Sequence, residues 1–145
     1  GVVAGRFRFF THYESRKGRE LSANPKAALL FHWPLLGRQV RVEGAVQRIG
    51  VADSDAYFAT RPRESQLSAS ISPQSQPISR HELESRRRAA EERLGSAPVP
   101  RPPDWGGYDL DPRRVELWLS DAARLHHRHE FVRAGDVWRY GTLAP

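Results

Sequence analysis

Cysteine and methionine are both absent from the 145 residues. Without cysteine the chain forms no disulfide and offers no thiolate to a metal or to a nucleophilic mechanism. Lysine is almost missing as well: only Lys17 and Lys26 occur, against 21 arginines spread from Arg6 to Arg139. Alongside many alanines and prolines, that spread reads as a coding bias toward arginine and not as a basic stripe. The net charge of +6 and pI near 10.4 therefore imply a general attraction to polyanions, without a dedicated nucleic-acid surface. No apolar run approaches the ~20 residues of a membrane span; the longest, AALLF, stops at His32. The start, GVVAGRFRFF, lacks the apolar stretch of a secretory signal. The expectation is a cytoplasmic protein with no membrane partner. The missing methionine at position 1 fits either a removed initiator or an upstream segment.

What is present is ordinary for a folded soluble domain: 39% hydrophobic and 28% charged residues, in a length that fits one domain over 1–145. RFRFFTH alternates and predicts a strand over Arg6–His12. Ser15 suits an N-cap, and SRKGREL opens a short helix that Asn24-Pro25 must close. KAALLFHW predicts a buried strand ending at Pro34. After a turn at Gly37, RQVRVEGAVQRI predicts a long half-buried strand. Asp53 or Ser54 is expected to cap a helix that Pro62 stops. PRESQLSASISPQSQPIS, rich in Ser, Gln and Pro, reads as a flexible or functional loop. Ser79 caps a clear helix, RHELESRRRAAEERL, with Glu82/Arg86, Glu84/Arg88, Arg87/Glu91 and Arg88/Glu92 at helical spacing. A proline-rich connector then leads to three strands, the last two joined through AGD. The class is α+β around a mostly antiparallel barrel with a few peripheral helices.

Three stretches could carry chemistry. THYESRKGREL places Arg16 and Lys17 at a helix start, where unpaired N–H groups and the dipole favour an anion. That is either a solvated helix end or a phosphate socket. YFATRPRES repeats Tyr57, Arg61 and Ser65 every four residues, and while a helix lasts Tyr57 and Arg61 share a face. In RLHHRHEF, read as a strand, Arg124, His126 and Arg128 point one way while His127 and His129 point the other. Two histidines on one face, with no carboxylate at ligand spacing, make a weak metal motif, and no metal is expected. Trp105 and Trp118 read as core.

Taken in order, FFTHYESRKGREL, NPKAALLFHWPLLGRQVRVEGAV, SDAYFATRPRESQLSASISPQS, PRPPDWGGYDLDPRRVELW, RLHHR and LAP resemble pyridoxamine 5'-phosphate oxidase over essentially the whole chain. The resemblance implies an FMN-binding split β-barrel and a homodimer with FMN at the subunit interface. It implies FMN contacts at Phe10, Thr11, Arg16, Lys17, Gln39, Gln74, Ser75, Trp118 and Arg128. It implies substrate contacts at Tyr57, Arg61 and Ser65 for the phosphate, and at Arg124, Leu125 and His126 over the ring. Arg124 and His126 would be the catalytic pair. The reaction implied is oxidation of pyridoxamine or pyridoxine 5'-phosphate to pyridoxal 5'-phosphate with oxygen as acceptor, in vitamin B6 salvage. The alternative is a split-barrel protein that holds FMN or pyridoxal phosphate without turnover. The chain departs from the family pattern at Phe10, where tyrosine is usual, at His32, and at His127, where aspartate is usual. The family's N-terminal helix and first strands, one carrying Arg and Lys, are expected to be lacking here.

Overall fold

The computed structural model describes every residue from Gly1 to Pro145. Its strands are β1 (Val2–Val3), β2 (Arg6–His12), β3 (Lys26–Trp33), β4 (Arg38–Arg48), β5 (Trp105–Leu119), β6 (His127–Ala134) and β7 (Val137–Thr142). Its helices are α1 (Arg16–Ala23), α2 (Val51–Thr60), α3 (Arg63–Ile71) and α4 (Arg80–Leu94). The seven strands form one sheet in the order β1-β2-β5-β4-β3, with β6 on β5 and β7 on β6. The pairs β1–β2, β3–β4, β5–β6 and β6–β7 run antiparallel.

The chain resolves into two compact units, each described by itself. The first comprises Gly1–Arg8, Pro25–Gln47 and Asp109–Pro145. Val42 and Leu110 are its fully buried side chains. A Cβ on Gly44 would lie 1.9 Å from the carbonyl oxygen of Asp111, so β4 and β5 pass at a distance only glycine allows. Arg8 clamps Asp109 with two bonds, Nε to Oδ1 at 2.7 Å and Nη2 to Oδ2 at 2.9 Å. The Arg8 guanidinium holds the Asp109 carboxyl below the ordinary aspartate value, against the opposing effect of burial. A depressed carboxylate stabilises the fold above its unfolded pKa, and that contribution disappears as pH falls through the folded value. Asp109→Asn is therefore expected to lower stability by about 1–3 kcal/mol at neutral pH. It should also flatten the acid-unfolding slope below about pH 4. Urea midpoints followed from pH 7 to pH 2 check both.

The second unit comprises Phe9–Asn24 and Arg48–Tyr108. Its core joins Phe58 of α2, Leu67 and Ala69 of α3, Ala90 of α4, Val99 and Trp105, with Phe10, Ile71 and Leu94 packed against them. Helix α4 starts as expected: Ser79 Oγ accepts from the N–H of Glu82 at 3.1 Å. Arg86 bonds Glu82 and Arg87 bonds Glu91, while Glu84 bonds Arg80, with the expected Arg88 adding a weaker attraction.

Three expectations need correction. KAALLFHW is a strand but not a buried one, with Leu30 63% and Trp33 45% exposed. It lies at the end of the sheet order, paired only with β4. Helix α2 begins at Val51, capped by Gly50, so Asp53 lies in its first turn and neither Asp53 nor Ser54 caps it. Ser54 is buried, with its hydroxyl turned back to Gly50 O at 3.2 Å. The Ser- and Gln-rich segment is not a loop throughout, because Arg63–Ile71 forms α3. The polar composition hides its apolar face: Leu67 is buried, and Ile71, one turn later, packs against the same core. Gln66 further donates through Nε2 to Phe58 O at 2.9 Å, satisfying a carbonyl at the end of α2.

Candidate functional site

The second unit carries two adjoining groups of candidate residues. At the end of β2, Thr11 is 3% exposed and donates from Oγ1 to Gln74 Oε1 at 2.9 Å, while the N–H of His12 reaches the same oxygen at 3.3 Å. Ser75, next in the chain, has φ +69. Serine pays roughly 1 kcal/mol for that left-handed conformation, the kind of local strain that gathers at binding sites. Ser15 is fully buried, donating to His12 O at 2.6 Å and accepting from Gly18 N at 3.2 Å. Arg16 and Lys17 therefore start the helix on its exposed side. Arg16 is bonded to Glu20 at 2.8 Å, which raises the arginine pKa and answers part of the conflict between a cation and a helix start.

The second group surrounds an aromatic stack. Phe10 lies 3.8 Å from Tyr57 and 5.2 Å from Trp105, with all three rings nearly parallel. The Arg61 guanidinium sits 4.9 Å over the Trp105 ring. Helix α2 ends at Thr60, so Arg61 caps it in extended backbone, and the four-residue spacing does not carry on as one helix. Ser65 instead falls in the first turn of α3. The buried Nη1 of Arg61 has no hydrogen-bond partner. An unsatisfied buried donor costs about 1–3 kcal/mol, and a cationic one is answered best by an anion. Trp105, read as core, is core, and it is also the ring on which this arginine rests.

The first unit holds the remaining candidates. Gln39, Trp118 and Arg128 line one cavity of about 280 Å³ with Leu30, Arg41, Glu116 and Pro145. Trp118 and Arg128 are direct partners in the β5–β6 ladder. Arg128 donates from Nε to Glu116 Oε1 at 2.7 Å and from Nη1 to Ala144 O at 2.9 Å. That contact holds the Glu116 carboxyl below the usual glutamate range and raises the Arg128 pKa. The chain end is thereby tied to the cavity through Ala144, beside the Leu143 N–H that bonds Arg128 O at 3.0 Å.

The expectation that Arg124, His126 and Arg128 share one strand face is overturned. Strand β6 begins at His127, and Arg124, Leu125 and His126 lie in the turn before it. Arg124 has φ +63 and is exposed, and Leu125 is exposed as well. Turn geometry ending at Arg124 breaks the alternation that the sequence pattern suggested. His126 still reaches the site's surroundings, because its ring lies 4.7 Å from that of Trp118.

Sequence reasoning missed Glu116, His12 and Asp104. Glu116 stands two residues before Trp118, so strand alternation could have placed it on the same face. His12 Nδ1 meets Asp104 Oδ2 at 3.0 Å across 92 positions, a separation no local pattern reveals.

The model of the pyridoxamine 5'-phosphate oxidase family matches residues 3–94. The C-terminal dimerisation region of pyridoxine 5'-phosphate oxidase matches residues 105–145. The chain belongs to the pyridoxamine 5'-phosphate oxidase family. A pyridoxine/pyridoxamine 5'-phosphate oxidase of Anaeromyxobacter dehalogenans is 55% identical over 96% of this chain and 71% of its own length. One of Rubrobacter xylanophilus is 54% identical over 96% of the chain and 64% of its own length. This chain thus spans about two thirds of these relatives. Among solved structures, PhzG from Burkholderia lata 383, in complex with tetrahydrophenazine-1-carboxylic acid, aligns with TM-score 0.89 at 32% identity. That alignment covers the whole chain and 71% of PhzG. A pyridoxamine 5'-phosphate oxidase-related, FMN-binding protein of Nostoc punctiforme aligns with TM-score 0.76 at 18% identity, over the whole chain and 76% of its own. The expected α+β split-barrel class is thereby established, in an oxidoreductase family. No helix is long and apolar enough to cross a membrane.

Proposed function

We propose that this chain carries the catalytic domain of an FMN-dependent oxidase that converts pyridoxamine or pyridoxine 5'-phosphate to pyridoxal 5'-phosphate, acting as a cytoplasmic homodimer. The observation that carries the reading is the buried, unpartnered Nη1 of Arg61, laid over Trp105 beside Tyr57 and near the start of α3. A phosphate ester supplies the missing acceptor there, with the Tyr57 and Ser65 hydroxyls as further donors.

The residues present fit FMN. Gln39, Trp118 and Arg128 bring donors and an aromatic ring to one cavity, a set suited to the carbonyl and ring-nitrogen acceptors of a flavin. In the second unit, Phe10, Thr11, Gln74 and Ser75, with Arg16 and Lys17 for the phosphate, are proposed as FMN contacts in their own right. When bound, FMN supplies the two-electron acceptor that oxygen reoxidises with release of peroxide. The protein's own part is binding and orientation. Glu116 fixes the Arg128 fork, and Thr11 fixes the Gln74 amide. Arg124, Leu125 and His126 are proposed to cover the substrate ring, with Arg124 and His126 nearest the reacting carbon.

Exposed apolar side chains support the homodimer. Leu30, Trp33, Leu35 and Leu36 follow one another along β3 and the turn after it, and Leu35 has no cover at all. The match of residues 105–145 to a dimerisation region points the same way. The test is an absorbance titration with FMN, then a peroxide assay with pyridoxamine 5'-phosphate. Yellow protein that releases peroxide is expected. Binding of FMN without peroxide would favour the holding function alone. Peroxide with a tricyclic carboxylic acid like the PhzG ligand, but not with the phosphate ester, would overturn the substrate assignment.

A further inference from the structure

The turn between β5 and β6 is built on Asp121. Its Oδ1 accepts from the N–H of Ala123 at 2.8 Å, and its carbonyl oxygen accepts from the N–H of Arg124 at 3.1 Å. Its own N–H donates to Nδ1 of His126 at 3.2 Å. Just before it, the N–H of Ser120 donates to Gly37 O at 2.7 Å and anchors the turn's start. Arg124 is held at φ +63, a conformation that only supporting contacts maintain in a residue with a Cβ. The carboxylate-to-amide bond at Ala123 is such a contact, an aspartate side chain closing a turn over its own backbone.

The bond to His126 fixes a chemical state as well as a position. A backbone N–H can only donate, so Nδ1 of His126 must accept. The neutral ring then carries its hydrogen on Nε2. The ring also packs 4.7 Å from Trp118, tilted by 42°.

We propose that Asp121 is a positioning residue: it closes the turn that presents Arg124 and His126, and it sets His126 as a hydrogen-bond donor through Nε2. The proposal rests on the reading of Arg124 and His126 as substrate contacts. It assigns His126 the role of donating to an electron-rich atom of the substrate, and it leaves Nδ1 occupied and unable to collect a proton from that substrate.

The test uses the full chain with histidine labelled with nitrogen-15, at mildly alkaline pH, with His126→Phe identifying the signals. The expected wild-type ring shows a protonated Nε2 and an unprotonated, hydrogen-bonded Nδ1. Asp121→Ala is expected to lose the hydrogen-bonded Nδ1 signature. It should weaken pyridoxal 5'-phosphate binding about tenfold while FMN affinity stays within about twofold, the loss of roughly one hydrogen bond. Asp121→Asn retains the acceptor and is expected to restore both. Amide exchange at Asp121, about tenfold faster in His126→Phe than in the unmodified chain, reads the same bond without touching Asp121. A wild-type ring protonated at Nδ1 would overturn the proposal. So would an Asp121→Ala ring indistinguishable from wild type, or an Asn variant that behaves like Ala. Wild-type protein with the expected signatures but no affinity for FMN or pyridoxal 5'-phosphate would support the tautomer assignment and sink the functional reading instead.

Discussion

Arg61→Met is expected to lower kcat/KM for pyridoxamine 5'-phosphate by about 10²–10⁴-fold while leaving the fold as stable as before or slightly more so. The two directions follow from one feature. The guanidinium has a buried nitrogen without a partner, so the ligand-free protein already carries an unmet hydrogen-bonding demand. Methionine keeps an unbranched stem against Trp105 and Phe58 and removes that demand, for a gain of up to about 1 kcal/mol. The same change removes charge-assisted contacts to the phosphate at roughly 1.5–3 kcal/mol each, and two of them account for the predicted loss. Arg61→Lys should recover only part, because a single ammonium does not reproduce the planar fork. Thermal unfolding with and without pyridoxal 5'-phosphate separates the effects. The wild type should gain stability from the ligand, and the methionine variant should gain little. If the variant were destabilised and still responded to the ligand, Arg61 would be a packing residue and the phosphate assignment would fail.

Legibility along the sequence followed the range of the interactions involved. Strand β2, helix α1 with its Ser15 cap, and helix α4 with its Ser79 cap were readable because alternation and capping act over a few residues. Helix α3 was not, since its stability comes from burying Leu67 against Phe58 and Trp105, partners 9 and 38 positions distant that a Ser- and Gln-rich window does not announce. The exposure of β3 was hidden for the opposite reason. Its composition says apolar, and what lies beside it is decided by the sheet order.

The candidate site divides along the same line. Tyr57, Arg61 and Ser65 were singled out by spacing, yet the helix behind that spacing ends at Thr60. Two short helices meeting at Pro62 take its place. Arg124 and His126 were singled out as near neighbours in sequence, and strand alternation assigned them the wrong conformation. A single residue in the left-handed region is enough to break a period of two, and nothing in RLHHR marks it. Asp121, at the head of that turn, was the local signal available: an aspartate two residues before the amide it accepts is a common turn opener.

The start of α1 gives the second large effect. In an exposed helix, glycine to alanine stabilises by about 0.5–1 kcal/mol. At Gly18 the sign is expected to invert. A Cβ there would lie 2.1 Å from the carbonyl oxygen of Tyr13 and 2.6 Å from that of His12, both backbone atoms that no rotamer change can move. Gly18→Ala is therefore expected to cost about 2 kcal/mol or more, since overpacking against fixed atoms outweighs the propensity gain. The displacement would fall on the turn that carries Arg16 and Lys17, because the Gly18 N–H is the group Ser15 caps. FMN affinity should drop along with stability if those two cations hold its phosphate. Gly50→Ala is the internal control: nothing lies within 4 Å of its Cβ position, and its φ of −60 suits any residue. Urea midpoints and FMN titrations on both variants decide the matter. A Gly18→Ala protein as stable as the Gly50→Ala protein would mean that α1 does not press on the end of β2. A destabilised Gly18→Ala protein with unchanged FMN affinity would return Arg16 and Lys17 to the role of a solvated helix end, with Glu20 as the partner that Arg16 needs.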